Sequence, residues 1–167
     1  MASSTWSRAL AGLALLLAMG CNGPGPTASR PAPDLSLPDL EGKVTALADL
    51  KGTVVLLDFW STTCQTCLHE LPMLNGLQER LGRKGFTVLA VCTDDLASDA
   101  LKAFAAENRM SYPVLRSEGK AMPGYGLYGL PQAFLIGKDG IIKKQYMGPK
   151  MPEEVLRDAE RAIRAAP

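Results

Sequence analysis

The chain is short of the residues that most often carry chemistry. Among its 167 residues there is one histidine, His69, and only four cysteines, Cys21, Cys64, Cys67 and Cys92. Four unevenly spaced cysteines are too few for a disulfide scaffold. There is no basic block: 18 basic and 17 acidic residues are mixed along the chain, for a formal net charge of +1. That argues against nucleic acid as a partner. No internal repeat occurs. A membrane-spanning helix needs ~20 apolar residues, and the run from Ala9 to Met19 is about half of that. What is present suits a globular chain. Hydrophobic residues make up 47%, and the length is that of one domain with room for a proper core.

The short apolar run has a meaning of its own. Arg8 precedes it and Ala18-Met19-Gly20-Cys21 ends it, which is the layout of a secretory signal peptide over residues 1–20. The ending resembles a bacterial lipobox, with Ala18 where that motif usually has Leu. The resemblance implies that Cys21 is acylated and becomes the mature N-terminus. The alternative is an ordinary cleaved signal followed by a stray cysteine. Asn22 to Pro33 is rich in Gly, Pro, Ser and Ala without periodicity, so residues 21–33 read as a tether to the membrane. Residues 34–167 are then the folded domain.

Within that domain the centre is Asp58-Phe59-Trp60-Ser61-Thr62-Thr63-Cys64-Gln65-Thr66-Cys67. The apolar run Val54 to Trp60 predicts a strand buried on both faces. Leu68, Leu71, Leu74, Leu77 and Leu81 recur at spacings of three or four and predict a helix from Cys64, with Pro72 kinking it and Gly82 and Gly85 ending it. Two cysteines spaced C-x-x-C at such a junction form a redox pair. The helix N-terminus favours a thiolate on Cys64, and Cys67 lies one turn on, where it can close a disulfide.

The other elements follow the same logic. Residues 34–47 predict a small hairpin followed by a helical turn near Ala48 to Leu50. Phe86 to Cys92 and Pro113 to Leu115 predict strands, with a helix over Ala97 to Asn108 between them. Ala133 to Ile136 and Ile141 to Tyr146 predict a hairpin around Gly137-Lys138-Asp139-Gly140. Pro152, Glu153 and Glu154 suit the start of a last helix, with Val155, Leu156, Ala159 and Ile163 facing inward. This order predicts an α/β fold with a mixed central β-sheet flanked by helices on both faces.

Four features together resemble the thioredoxin-fold proteins of the TlpA/ResA type, the membrane-anchored extracytoplasmic thiol–disulfide oxidoreductases. They are Asp58-Phe59-Trp60 leading into Cys64-x-x-Cys67, Pro72 five residues later, Leu130-Pro131 before a strand, and the hairpin sequence Leu37-Pro38-Asp39-Leu40-Glu41-Gly42-Lys43. The resemblance spans about residues 34–166 and implies a thioredoxin-like fold with an N-terminal β-hairpin extension. It implies Cys64 as the nucleophile and Cys67 as the resolving thiol. Asp58 corresponds to a buried carboxylate of thioredoxin and is a candidate proton acceptor for Cys67, the alternative being a purely local hydrogen-bonding role. Glu70 matches an acidic position that tunes the cysteines in the ResA-like branch, or is a solvated helix acid. Leu130 and Pro131 match the cis-proline segment that pairs with substrate, and Trp60 flanks the site or packs in the core. Thr63 and Gln65-Thr66 depart from the family pattern, which has Trp before the first cysteine and Pro-Pro or Gly-Pro between the two.

The other reactive residues have plainer readings. His69 misses the haem-attachment spacing C-x-x-C-H by one residue and reads as a polar position of the helix. Cys92, within an apolar strand, reads as a buried thiol. No cofactor or metal is expected. The leading function is a disulfide reductase or exchanger of the bacterial cell envelope, facing the periplasm. Its partners would be protein disulfides, with apocytochrome c as a client by analogy, and a membrane thiol donor of electrons. Two alternatives stand beside it. One is a thiol peroxidase, suggested by Ser61 three residues before Cys64. The other is a metal-binding lipoprotein using Cys64, Cys67 and His69, which would still need a fourth ligand.

Overall fold

The computed structural model describes residues 29–120 and 122–166. The expected signal peptide and most of the expected tether lie outside the described residues. The elements in order are β1 (Arg30–Pro31), β2 (Ser36–Pro38), β3 (Val44–Ala46), β4 (Val54–Trp60), α1 (Gln65–Leu81), β5 (Phe86–Cys92), α2 (Ser98–Glu107), β6 (Val114–Arg116), β7 (Gln132–Ile136), β8 (Ile141–Met147) and α3 (Pro152–Arg164). Short 3-10 turns at Leu47–Leu50 and Gly82–Lys84 complete the set.

Six strands form one sheet in the order β1-β8-β7-β4-β5-β6, and β2 pairs with β3 as a separate hairpin. β5 lies parallel to β4 and β6, whereas β7 is antiparallel to both β4 and β8. The thioredoxin-like fold and the N-terminal hairpin expected from the sequence are therefore present. β4 is the strand with seven buried residues out of seven. Its continuous apolar run follows from its central position, with neighbours on both edges and layers on both faces.

Alternation along β4 divides the core. Val54, Leu56 and Trp60 point into one layer with Leu74, Leu77 and Leu81 of α1, Leu101 of α2, and Val155 and Ala159 of α3. Val55, Leu57 and Phe59 point into the other, with Leu35, Leu37, Leu47 and Tyr125. This corrects the expectation of helices on both faces. Among the described residues all three α-helices pack on one face, and the hairpin, the 3-10 turn at Leu47 and the Tyr125 segment cover the other. The reason is handedness. The crossovers β4-α1-β5 and β5-α2-β6 step in the same direction along the sheet, and two right-handed crossovers in one direction put their helices on the same side.

A second correction concerns the end of the tether. Arg30–Pro31 pairs antiparallel with Ile141 and Ile142 of β8, and the Arg30 guanidinium donates to the Gly124 carbonyl at 3.0 Å. The fold therefore begins by Arg30, not at Asp34. Proline is compatible with this place because β1 is an edge strand, where a missing N–H leaves no partner unsatisfied.

α1 ends much as its glycines foretell. Gly82 is still right-handed and caps the helix, and Gly85, at φ +81°, makes the left-handed turn into β5 that a Cβ would oppose. Pro72 lies within α1 on its exposed side and offers no N–H to the Leu68 carbonyl. α3 is fastened to β8 through Lys144, whose ammonium donates to Glu154 and Asp158 at 2.6 Å each. Among the core residues, Leu56 is 0% exposed. Leu56→Ala is expected to lower unfolding stability by about 2–5 kcal/mol, read as a lower urea midpoint at an unchanged m-value.

Candidate active site

The strand β4 and the helix α1 meet at Ser61–Cys64, and this junction is firmly held. Asp94, in the loop after β5, accepts from the Thr62 N–H at 2.7 Å and from its hydroxyl at 2.8 Å. Thr93 donates to the Trp60 carbonyl through its N–H at 2.9 Å and its hydroxyl at 3.1 Å. The loop after β5 thus fixes where the first turn of α1 begins.

Cys64 is the N-cap of α1 and is joined to Cys67 by a disulfide, with Cα atoms 5.2 Å apart. Its Sγ accepts the Cys67 N–H at 3.2 Å. The two sulfurs differ in access: Cys64 is partly exposed, whereas Cys67 is 2% exposed. When the pair is reduced, Cys64 keeps the position at which helix N–H groups and the helix dipole favour a thiolate. An incoming disulfide can reach Cys64 and not Cys67.

A buried charged group joins β4, α1 and the connection after β8. Asp58, on the helix-facing side of β4, is 2% exposed, and Glu70, one turn beyond Cys67 on α1, is 6% exposed. Between them sits Lys150, from the connection between β8 and α3, with its side chain fully buried. Its ammonium lies 2.6 Å from Glu70 Oε2 and 2.9 Å from Asp58 Oδ1. Its backbone N–H donates to Glu70 Oε1 at 2.6 Å. Burial pushes the Asp58 carboxyl up to about 6, although the Lys150 charge pulls the other way. Burial pulls the Lys150 ammonium down, but the two carboxylates outweigh it and leave it raised. The Tyr112 hydroxyl is pushed up by burial and then by the Asp58 charge.

The segment Leu130-Pro131 has a cis peptide bond and leads directly into β7. The Pro131 carbonyl accepts the Gly148 N–H at 2.9 Å. The connection carrying Lys150 therefore touches both the acid pair and the proline segment.

The comparisons with known proteins agree with this geometry. The AhpC/TSA family model matches residues 28–145. The thiol-disulfide oxidoreductase ResA of Bacillus thuringiensis is 38% identical over 125 residues, which is 74% of this chain and 72% of that protein. The chain belongs to the ResA-type thiol–disulfide oxidoreductases. Its fold also superposes on a putative thiol:disulfide interchange protein DsbE from Chlorobium tepidum, with a TM-score of 0.72, 35% identity and coverage of 81% of this chain and 96% of that one. An exposed lipoprotein thioredoxin from Streptococcus pneumoniae gives a TM-score of 0.67 at 27% identity, over 77% of this chain and 99% of that one.

Of the residues read from the sequence as catalytic, Cys64 is bonded to Cys67, and Asp58 and Glu70 meet through Lys150. Trp60 is a different matter. It is 1% exposed and lies against the Phe104 ring with centroids 5.5 Å apart, so it is a wall of the core and not a surface for substrate. Leu130 is half-buried and Pro131 is buried. His69 is exposed on α1. Cys92 is fully buried, donates to Asp94 at 3.6 Å, and is pushed up by burial to about 12, which leaves it inert as a nucleophile.

Two residues of the ResA-type site escaped the sequence. Asp94 was visible only as part of a polar loop start. Lys150 follows Gly148-Pro149, where a lysine is ordinarily solvated. The one local signal was that Asp58 and Glu70, if both buried, would require a cation.

Proposed function

We propose that the protein reduces disulfides of other proteins outside the cytoplasm, anchored to the membrane by a lipid on Cys21. The observation that carries this reading is the asymmetry of the redox pair: a reachable Cys64 at a helix N-cap, bonded to a buried Cys67. In the reduced form the Cys64 thiolate attacks one sulfur of a substrate disulfide. The substrate S–S bond breaks, a substrate thiolate leaves, and a mixed disulfide forms on Cys64. Cys67 then gives up its proton, with Asp58 as the acceptor, and attacks Cys64 Sγ. The mixed disulfide breaks, the second substrate thiolate leaves, and the Cys64–Cys67 bond closes. Two electrons have passed to the substrate, and no cofactor takes part. A thiol donor at the membrane must then reduce Cys64–Cys67 again.

The anchor and location rest on Ala18-Met19-Gly20-Cys21 and on the likeness to a lipoprotein thioredoxin that is exposed on its cell. No helix among the described residues is long and apolar enough to cross a membrane. Leu130-Pro131 is the segment against which an extended substrate would pair, and apocytochrome c is a client of suitable chemistry. The C-x-x-C disulfide favours exchange over peroxide reduction. Among the described residues no three His, Cys, Asp or Glu side chains are grouped for a metal ion.

Equilibrating the purified protein against thiol buffers tests the reading. A reversible two-electron transition is expected at roughly −270 mV, as for thioredoxin. A value near roughly −120 mV would reverse the direction and make the protein a disulfide donor. Absence of a transition would remove exchange altogether.

A further inference from the structure

Lys150 has no counterpart in the chemistry of the two thiols, yet its charged side chain is enclosed by protein. Its side chain has no exposed surface. Placing one lysine between two buried carboxylates constrains how many protons the group holds. With every member charged, Asp58, Glu70 and Lys150 carry one net negative charge. One proton makes them neutral, and a second leaves an unbalanced cation in a low-dielectric site.

The hydrogen bonds decide where that proton goes. Glu70 accepts from Lys150 at both oxygens, from the ammonium at Oε2 and from the backbone N–H at Oε1, each at 2.6 Å. Asp58 meets the same ammonium through Oδ1 alone, at 2.9 Å. Glu70 is thus held by Lys150 at both oxygens and Asp58 at one, which leaves Asp58 the less engaged carboxylate. The other titratable group bearing on Asp58 is Tyr112, from the segment before β6, which enters as a neutral phenol.

We propose that Lys150 is a positioning residue of the exchange reaction, which by engaging Glu70 at both oxygens makes Asp58 the single proton acceptor of the buried acid pair. This rests on the reading of Cys64 and Cys67 as the exchanging pair and extends it. In the resolving step the Cys67 S–H bond breaks, its proton moves to Asp58, and the sulfur electron pair forms the bond to Cys64. The proton is later released to solvent as the substrate thiolate departs and is protonated.

The experiment is the rate of mixed-disulfide resolution as a function of pH, for the full chain, with a dithiol-reduced enzyme and a small aromatic disulfide as the probe. In Lys150→Gln, Asp58 loses its balancing charge and holds its proton to higher pH. The half-maximal pH of resolution is expected to rise by about one unit or more, so that resolution is at least about twofold slower near pH 7, about tenfold slower near pH 5, and recovers by about pH 9. In an Asp58→Asn background the same change is expected to leave the pH profile where it is. An equal slowing at every pH, or none, in folded Lys150→Gln would overturn the proposal. If Lys150→Gln does not fold, carboxyl infrared titration of the unaltered oxidised protein decides instead. One buried carboxyl should take up a proton between about pH 5 and 8, and that signal should vanish in Asp58→Asn. Two such carboxyls, or none, would overturn it. Failure of the exchange reading itself is separate: it would appear as no mixed disulfide on the unaltered protein, with the carboxyl signal still readable.

Discussion

Cys67→Ser is expected to halt the protein at the mixed disulfide, with substrate held on Cys64 and turnover lowered by roughly 10³-fold or more. The magnitude comes from the geometry of the pair. Cys67 is one turn from Cys64, with its N–H already bonded to Cys64 Sγ, so its attack is intramolecular. Groups held this way react as if present at about 10⁵ M or more, whereas an external thiol works at millimolar concentration. Cys64→Ser should lose turnover equally but for the opposite reason. The remaining thiol, Cys67, is 2% exposed and cannot reach a folded substrate, so no adduct forms. The two variants are to be incubated reduced with a protein disulfide and examined by intact mass without reductant. Adduct on Cys67→Ser alone assigns attack to Cys64. Comparable adduct on Cys64→Ser would show that the nucleophile has been placed on the wrong sulfur.

How far the sequence reaches depends on whether a feature is local. β4, the helix after it and the C-x-x-C pair were legible because a seven-residue apolar run, a three-four spacing and a cysteine spacing each lie in one stretch of chain. Leu130-Pro131 was legible by resemblance, since proline before a strand is commonplace without it. The packing of all three helices on one face was not legible. It depends on β6 being placed outside β5, and nothing in a three-residue strand says on which side it pairs. Trp60 was half legible. It alternates with Leu56 and Asp58, so it shares their face, but its partner Phe104 comes from α2, more than forty residues away. Arg30–Pro31 was read as tether because a two-residue edge strand has no period, and proline hides it. Lys150 was the largest omission. Its burial exists only where β4, α1 and the β8–α3 connection converge, and from sequence a lysine after Gly148-Pro149 is a turn residue in water. The acid pair could be suspected from resemblance, but the cation that makes it tolerable could not.

Asp58→Asn is expected to make the oxidised protein more stable and the enzyme slower, and the two effects have one cause. The Asp58 carboxyl is raised from 3.8 to about 6 in the fold, chiefly by burial. A folded value above the unfolded one means that the native state binds the proton more tightly. Between about pH 4 and 6 the native protein holds a proton that the unfolded chain has released, so stability falls as pH rises through that window. Above about pH 6 the charged carboxylate stays buried at its full cost, at most about 3 kcal/mol for a shift of this size. Asparagine removes that cost without changing the shape. The variant should therefore melt about 5–10 °C higher than the parent at about pH 7.5, and at nearly the same temperature as the parent at about pH 4. The same substitution deletes the proton acceptor for Cys67, and resolution of the mixed disulfide is expected to slow by ~10²-fold near pH 7. Calorimetry at the two pH values and single-turnover rates on the same preparations check both halves. Stabilisation without a slower resolving step would leave Asp58 as a buried charge with no part in catalysis. A slower step without stabilisation would mean that Lys150 already neutralises Asp58 in full. Finding both would tie the loss of stability at neutral pH to the residue that receives the proton, as a strained group kept in the core for its chemistry requires.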